Sequence, residues 1–250
     1  MRWSISVQGI ICNRKSPLAA LEFLDPRAAS TDGIVGGSEV LTEAEHRRLS
    51  RIRPCGARQQ FIAARRLARS LVADHLGATE PVGHLSLSQE CPYCGSPEHG
   101  RPLPVNGAHV SWAHCGPAVA AAVHHSPVGI DAEPVSSFYD AGNSLVDMLC
   151  TPDEASAIPE LPQERARALA RLWTTKEALV KVGETTFDTF REFAADSDGS
   201  IIVGSAERRW WSARSGWYLT GFEMFGVAVA VVSRSCQCFR GLRCGAELGK

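Results

Sequence analysis

The spacing of apolar residues switches between helical and extended periods along the chain. Over 41–76, Thr42 stands before Glu43 and Glu45 and predicts a helix start, while Pro54 and Gly56 break the run. Phe61, Ala64, Ala68, Leu71 and Val72 then recur at helical spacing and predict the apolar face of a second helix. Residues 77–107 are rich in Gly, Pro and Ser and read mostly as loop. From 108 to 135, short apolar runs broken at "CGP" and "HSP" predict three strands. The helical period returns at 151–183: Thr151 and Glu154 make a capping box with Pro152 at the first helical position, and a long helix runs from about Gln163 to Val182, with Gly183 to end it. Further on, "RRWWSARSGWYLTGF" reads as a hairpin in which Trp210, Trp211 and Trp217 are hairpin and core residues. The segment "FGVAVAVVSRS" echoes "GPAVAAAVHHS", which suggests two similar halves.

Composition narrows the class. A chain of 250 residues can form one domain or two small ones, and 44% hydrophobic with 21% charged residues describes a soluble globular protein. A formal net charge of -1 gives no global field toward nucleic acid or anionic membrane, so electrostatic recognition must be local. One local field exists, because Arg47, Arg48, Arg51, Arg53, Arg58, Arg65, Arg66 and Arg69 face only Glu43, Glu45 and Asp74 within 41–76. It reads either as a solvated face or as an anion site. The first apolar run is too short for a signal peptide or membrane span, so a cytoplasmic location is expected. Nine cysteines then read as thiols or metal ligands rather than a disulfide framework. "CPYCG" at 91–95, with His99 nearby, and "CQCFRGLRC" at 236–244 have thiol spacings that bind zinc, although together they are not a matched four-ligand pattern. Cys12, Cys55 and Cys150 read as packing residues, and Cys115, His124 and His125 as strand-end residues.

The chemistry concentrates in two short stretches. In "VGIDAEPV", Asp131 and Glu133 are two apart, so an extended strand turns both carboxylates to one side. Converging carboxylates repel unless a proton or cation lies between them, and a hard divalent ion such as Mg2+ takes oxygen ligands of this kind. In "LWTTKEALVK", Trp173, Glu177 and Lys181 fall four apart on one helix face. Glu177 can supply a third oxygen ligand or a base, Lys181 a positive charge for phosphate, and Trp173 the packing that fixes the helix. With the arginine-rich helices, these residues describe a polyphosphate site.

These two stretches, in this order and some forty residues apart, resemble the paired signature of the Sfp-type 4′-phosphopantetheinyl transferases, roughly G-I-D-x-E and W-x-x-K-E-x-x-x-K. "HGRP" at 99–102 is similar to the family's Gly-Lys/Arg-Pro segment, "VSWAHCG" at 110–116 to its strand ending in Ser-His, and "ARQQFIAARRLARSLV" to its arginine-bearing helix. Ala113 stands where the family often has serine, and "VGETTFDTF" after Lys181 is shorter than the usual loop.

The resemblance implies an α+β fold of two similar halves with pseudo-twofold symmetry and coenzyme A in a cleft between them. It divides the chain into an N-terminal half over 1–126, a C-terminal half with the metal-binding acids over 127–235, and a tail over 236–250. It implies transfer of the phosphopantetheine arm of coenzyme A to a serine of an apo acyl or peptidyl carrier protein, with release of adenosine 3′,5′-bisphosphate. Asp131, Glu133 and Glu177 would hold Mg2+, Glu177 would serve as base, Lys181 would contact a phosphate, and Arg48, Arg65, Arg101 and His114 would bind the other phosphates. Arg47, Arg51 and Arg69 are substitutes if the alignment of the basic helices slips by a residue or a turn. The carrier would come from fatty-acid, polyketide or nonribosomal peptide synthesis, with its acidic helices docking near Arg53 or Arg58. The protein would be a monomer with neither nucleic acid nor membrane as partner. Two other readings stand beside this one: a catalytically silent homologue that binds coenzyme A or a carrier protein, and a zinc-stabilised binding module resting on the cysteines and the arginine helix.

Overall fold

The computed structural model describes residues 18–24, 41–53, 55–77, 85–195, 202–204, 207–214 and 216–234. Cys12, Pro54, the cysteines of "CQCFRGLRC" and the tail over 236–250 lie outside the described residues, as do the side chains of Cys55, Trp210 and Trp211. The described residues divide into two compact units, the first ending at Val128 and the second beginning at Gly129.

The first unit builds on β1 (Leu18–Phe23), α1 (Glu43–Arg51), α2 (Cys55–Leu76), β2 (Gln89–Glu90), β3 (Arg101–Pro102), β4 (His109–Cys115) and β5 (Ala118–His124). Its sheet has the order β1-β5-β4 with both pairings antiparallel. Every residue of β5, "AVAAAVH", is buried, and its run of alanines lets α2 lie close against the sheet. Ala68, Leu71 and Val72 of α2 pack with Val110, Ala121 and Val123, so the apolar face expected of this helix is the buried one. Thr42 opens α1: its hydroxyl accepts from Glu45 N at 3.3 Å, and its own N–H donates to Glu45 Oε2 at 2.8 Å. Arg58 closes the same helix from α2 by donating to the Leu49 and Ile52 carbonyls at 2.7 and 3.3 Å, which commits a side chain expected to meet a carrier protein. Within the expected loop over 77–107, β2 and β3 form a two-pair ladder, Gln89 opposite Pro102 and Glu90 opposite Arg101.

The second unit begins along β6 (Val128–Pro134) and continues through a 3-10 turn at Val135–Phe138, α3 (Asn143–Leu149), α4 (Pro152–Ser156), α5 (Pro162–Val182) and a 3-10 segment at Phe187–Glu192. β7 (Ile202–Gly204), β8 (Glu207–Arg214), β9 (Trp217–Met224) and β10 (Val227–Ser233) follow. The sheet order is β6-β10-β9-β8-β7, and α5 lies on β10, another strand buried at every position. Phe225 and Gly226, with φ of 49° and 75°, make the two-residue turn between β9 and β10 that suits the right-handed twist of a hairpin. The three strands expected over 108–135 all form, but β6 leaves β4 and β5 and pairs with β10 instead. Both long-helix limits follow local signals: Pro162 occupies the first turn of α5, and past its end the N–H groups of Gly183 and Glu184 return to the Val180 and Leu179 carbonyls at 3.0 and 3.1 Å. Leu169, Leu179, Phe190 and Val232 are fully buried in the resulting core, each large apolar side chain contributing roughly 1.5–3 kcal/mol. The architecture is thus mixed helix and sheet, and no described helix is long and apolar enough to cross a membrane.

Candidate active site

Helix α5 crosses strand β6 at a point where no side chain would fit. A Cβ on Gly129 would lie 2.1 Å from the Ala178 carbonyl oxygen. Glycine therefore lets the helix backbone touch the strand, and the flanking residues, Asp131 and Glu133 beyond it on β6 and Glu177 and Lys181 on α5, are brought to one place. Lys181 Nζ donates to Asp131 Oδ1 at 2.9 Å and to the Ile130 carbonyl at 2.7 Å, tying helix to strand. Trp173 holds the preceding turn of α5 by packing on Phe138 and, edge-on, on Phe190, with ring centroids 6.3 and 6.2 Å apart. The packing role expected of that ring is the one it has.

The carboxylates sense one another. Burial, then the neighbouring Asp131, raises the Glu133 carboxyl to about 7, with Lys181 pulling the other way. Glu177 is likewise raised to about 7, by burial first, then by Asp131 and with a smaller push from Glu133, again opposed by Lys181. One ammonium against these acids leaves an excess of negative charge on hard oxygen donors in a partly buried place. A divalent, oxygen-preferring cation fits that donor set.

Between Trp173 and Glu177 lies a residue whose part the sequence reading did not find. Lys176 is fully buried, and its Nζ donates to Glu154 Oε2 at 2.7 Å and to the carbonyls of Leu149 and Phe190 at 2.5 and 2.8 Å. Glu154 is equally committed, since it also accepts from Thr151 N at 2.9 Å and Ala195 N at 2.7 Å. The capping box of α4 is therefore also the buried counter-ion that fixes α5 one residue before Glu177. A signal was present in the helix phase: Leu172, Lys176 and Leu179 recur at i, i+4 and i+7, which places the lysine on the core-facing stripe.

Residues 127–229 match the family model of the 4′-phosphopantetheinyl transferase superfamily. That stretch belongs to the superfamily. The match points to a transferase of the phosphopantetheinyl type, whose substrates are coenzyme A and carrier proteins. No curated protein matches the chain. Asp131, Glu133, Glu177 and Lys181 all fall inside the superfamily stretch, whereas Arg48, Arg65, Arg101 and His114 precede it.

Those four residues of the first unit have different surroundings. Arg65 is buried: its Nε lies 3.1 Å from Glu45 Oε1, Nη2 donates to Gln89 Oε1 at 3.1 Å, and its guanidinium carbon stands 4.0 Å from the Trp112 ring centre and 4.7 Å from that of Phe61. Burial pulls this guanidinium down to about 10, opposed by Glu45 and aided by Arg48 and Arg69, so it stays charged at neutral pH. Arg65, expected at a phosphate, stands beside Glu45, Gln89 and the two rings. Arg69 is fully buried and shares Glu45 with it, at 2.5 Å, while donating to the Leu85 carbonyl at 2.8 Å. Arg48 is half-buried over the Phe61 ring at 5.6 Å, and its Nη1 finds no hydrogen-bond partner among the described residues. Two guanidiniums thus share the single Glu45 carboxylate and a third, Arg48, is close enough to Arg65 to act on it, so this cluster carries more positive than negative charge. Arg101 is half-buried on β3 and His114 exposed on β4, while Arg47 and Arg51 are exposed and ion-paired to Glu43 and Glu98.

Proposed function

We propose that this protein is an Sfp-type 4′-phosphopantetheinyl transferase that moves the phosphopantetheine arm of coenzyme A to a serine of an apo acyl or peptidyl carrier protein in a Mg2+-dependent reaction. The observation that carries the reading is the gathering of Asp131, Glu133 and Glu177 beside Lys181, inside the superfamily stretch, with two of the carboxyls raised to about 7. Asp131, Glu133 and Glu177 would hold the Mg2+, which supplies charge neutralisation at the pyrophosphate when bound.

The remaining chemistry falls to side chains. The serine hydroxyl must lose its proton as its oxygen bonds to the phosphorus that carries pantetheine, while the bond to the adenosine bisphosphate leaving group breaks. Glu177 would receive that proton, directly or through a water, as the carboxylate that α5 sets beside Asp131 and one turn before Lys181. Lys181, one helical turn on and 2.9 Å from Asp131 Oδ1, would present its ammonium to a phosphate oxygen. Arg48, Arg101 and His114 would bind the other phosphates, with Arg65, close enough to Arg48 for their charges to repel, adding its positive charge. A likeness between the units supports the reading of two similar halves. In each, a hairpin ends in a seven-residue, wholly buried strand, β5 or β10, on which a long helix lies.

The reading is tested by incubating an apo carrier protein with this chain, coenzyme A and Mg2+, and measuring the intact mass of the carrier. A phosphopantetheine increment is expected, lost with chelator and reduced by about 10²- to 10⁴-fold in Glu177→Gln. Coenzyme A binding without transfer to fatty-acid, polyketide or nonribosomal carriers would leave a silent binding homologue instead.

A further inference from the structure

The transferase reading uses Arg101 of the β2–β3 hairpin but leaves the connection over 91–99 without a purpose, yet this segment is closely built. Cys91 N donates to the Ser96 carbonyl at 2.9 Å and Gly95 N to the Cys91 carbonyl at 2.9 Å, which folds "CPYCGS" into a tight knuckle. Gly95 takes a left-handed φ of 67° inside it. Where the chain returns, Gly100 has a φ of 105°, and a Cβ there would stand 2.2 Å from the Glu90 carbonyl oxygen and 2.4 Å from Cys91 Cα. The strands are pressed together at the one place where only glycine fits.

The knuckle brings the Cys91 and Cys94 sulfurs and a ring nitrogen of His99 within 4.8 Å of one another. Cys94 Sγ lies 3.5 Å from His99 Nε2. In a tetrahedral zinc site, bond lengths of about 2.3 Å to sulfur and about 2.05 Å to nitrogen set that edge at about 3.6 Å. Cys91 is buried whereas Cys94 and His99 are exposed, so the remaining tetrahedral position opens to solvent. We propose that Cys91, Cys94 and His99 form a zinc site that staples the β2–β3 hairpin, with a water or a solvent-borne ligand completing the tetrahedron.

The local electrostatics agree with ligation. Backbone N–H groups, that of Cys94 foremost and then that of Tyr93, point at the Cys91 sulfur and lower its thiol pKa. Two thiolates and a neutral imidazole also balance the charge of Zn2+ exactly as it enters. A need for a staple is visible in the ladder itself, which has two residue pairs and a largely exposed surround. A hairpin so short is marginal in water without an added constraint. Zinc would hold the backbone of Arg101, two residues after His99, against β2.

The site is tested without coenzyme A or carrier protein, so the outcome is independent of the transferase reading. The full chain is purified from zinc-supplemented medium and its metal measured by plasma mass spectrometry. About one zinc per chain is expected, falling at least about tenfold in Cys94→Ser and in His99→Ala, and kept in Asp131→Asn. Substituted Co2+ would give sulfur-to-cobalt charge-transfer absorption that weakens in Cys94→Ser. Amide exchange over 89–102 would slow on zinc addition to the wild type. The proposal is overturned by a wild type that retains less than about a tenth of a zinc after loading, by equal zinc in wild type and both ligand variants, or by loss of zinc in Asp131→Asn.

Discussion

Replacing Gly129 with alanine perturbs the candidate site without touching any of its polar groups. The new methyl would sit 3.0 Å from the Ala178 carbonyl carbon and 2.1 Å from its oxygen, the latter more than an ångström inside ordinary contact. The obstructing atom belongs to the backbone of α5, so no side-chain rotation relieves the clash. The helix must lift from β6 by about 1 Å, at a cost of about 1–3 kcal/mol for overpacking of this kind. In a chain of this size that corresponds to a fall in melting temperature of roughly 2–10 °C. The greater effect is on geometry, because Glu177 and Lys181 ride on the helix while Asp131 and Glu133 stay on the strand. A displacement of about 1 Å between reacting groups is worth about 10²-fold in rate. Thermal unfolding and intact-mass kinetics on an apo carrier, run side by side, separate the two effects. A Gly129→Ala protein that melts with the wild type and transfers at the wild-type rate would refute the close approach of helix and strand on which the site is built.

Other perturbations probe the same residues. Glu133 and Glu177 are raised from 4.5 to about 7, so the folded state binds more protons than the unfolded one between those values. Without metal, their contribution to stability is therefore present below pH 4.5 and lost as the pH rises through about 7, and Mg2+ should offset the loss; a chelated protein whose melting curve is unchanged by Glu177→Gln at pH 8 would contradict this. Lys176→Met should cost about 3–5 kcal/mol by stranding the buried Glu154 carboxylate, and adding Glu154→Gln should recover part of it, read by urea denaturation. Arg48→Ala is expected to raise the KM for coenzyme A with little change in melting temperature, whereas Arg65→Ala should lower the melting temperature by several degrees; the opposite split would exchange their roles.

The residues show why some of this was readable in advance. Thr151, Glu154 and Gly183 act through neighbours a few positions away, so their capping roles stand in the sequence and reappear as hydrogen bonds. Asp131 and Glu133 share a face by the period of a strand, but their meeting with Glu177 depends on a helix crossing that only the family resemblance supplied. The arginine run reads as a solvated face or an anion site, and Arg65 is not solvated: it is buried against Phe61 and Trp112. That environment needs Glu45 from another helix and Trp112 from a strand, contacts with no local spacing rule. Lys176 was passed over for the same reason, its carboxylate partner lying 22 residues upstream. The departure of β6 from β4 and β5 is likewise a matter of which strand offers a free edge, not of the strand's own pattern.

That departure bears on the order in which the site can come into being. Strand β6, which carries Asp131 and Glu133, takes its place beside β10, whose residues follow it by about a hundred positions. Closing so long a loop is an entropic cost that local contacts do not meet, so the pairing belongs to the late part of folding. On a ribosome, β6 would emerge with its carboxylates and have no sheet neighbour until β10 followed. A chain cut after α5 would keep Asp131, Glu133, Glu177 and Lys181 and still lack the strand that aligns them, so the acids alone do not make the site; the final hairpin does.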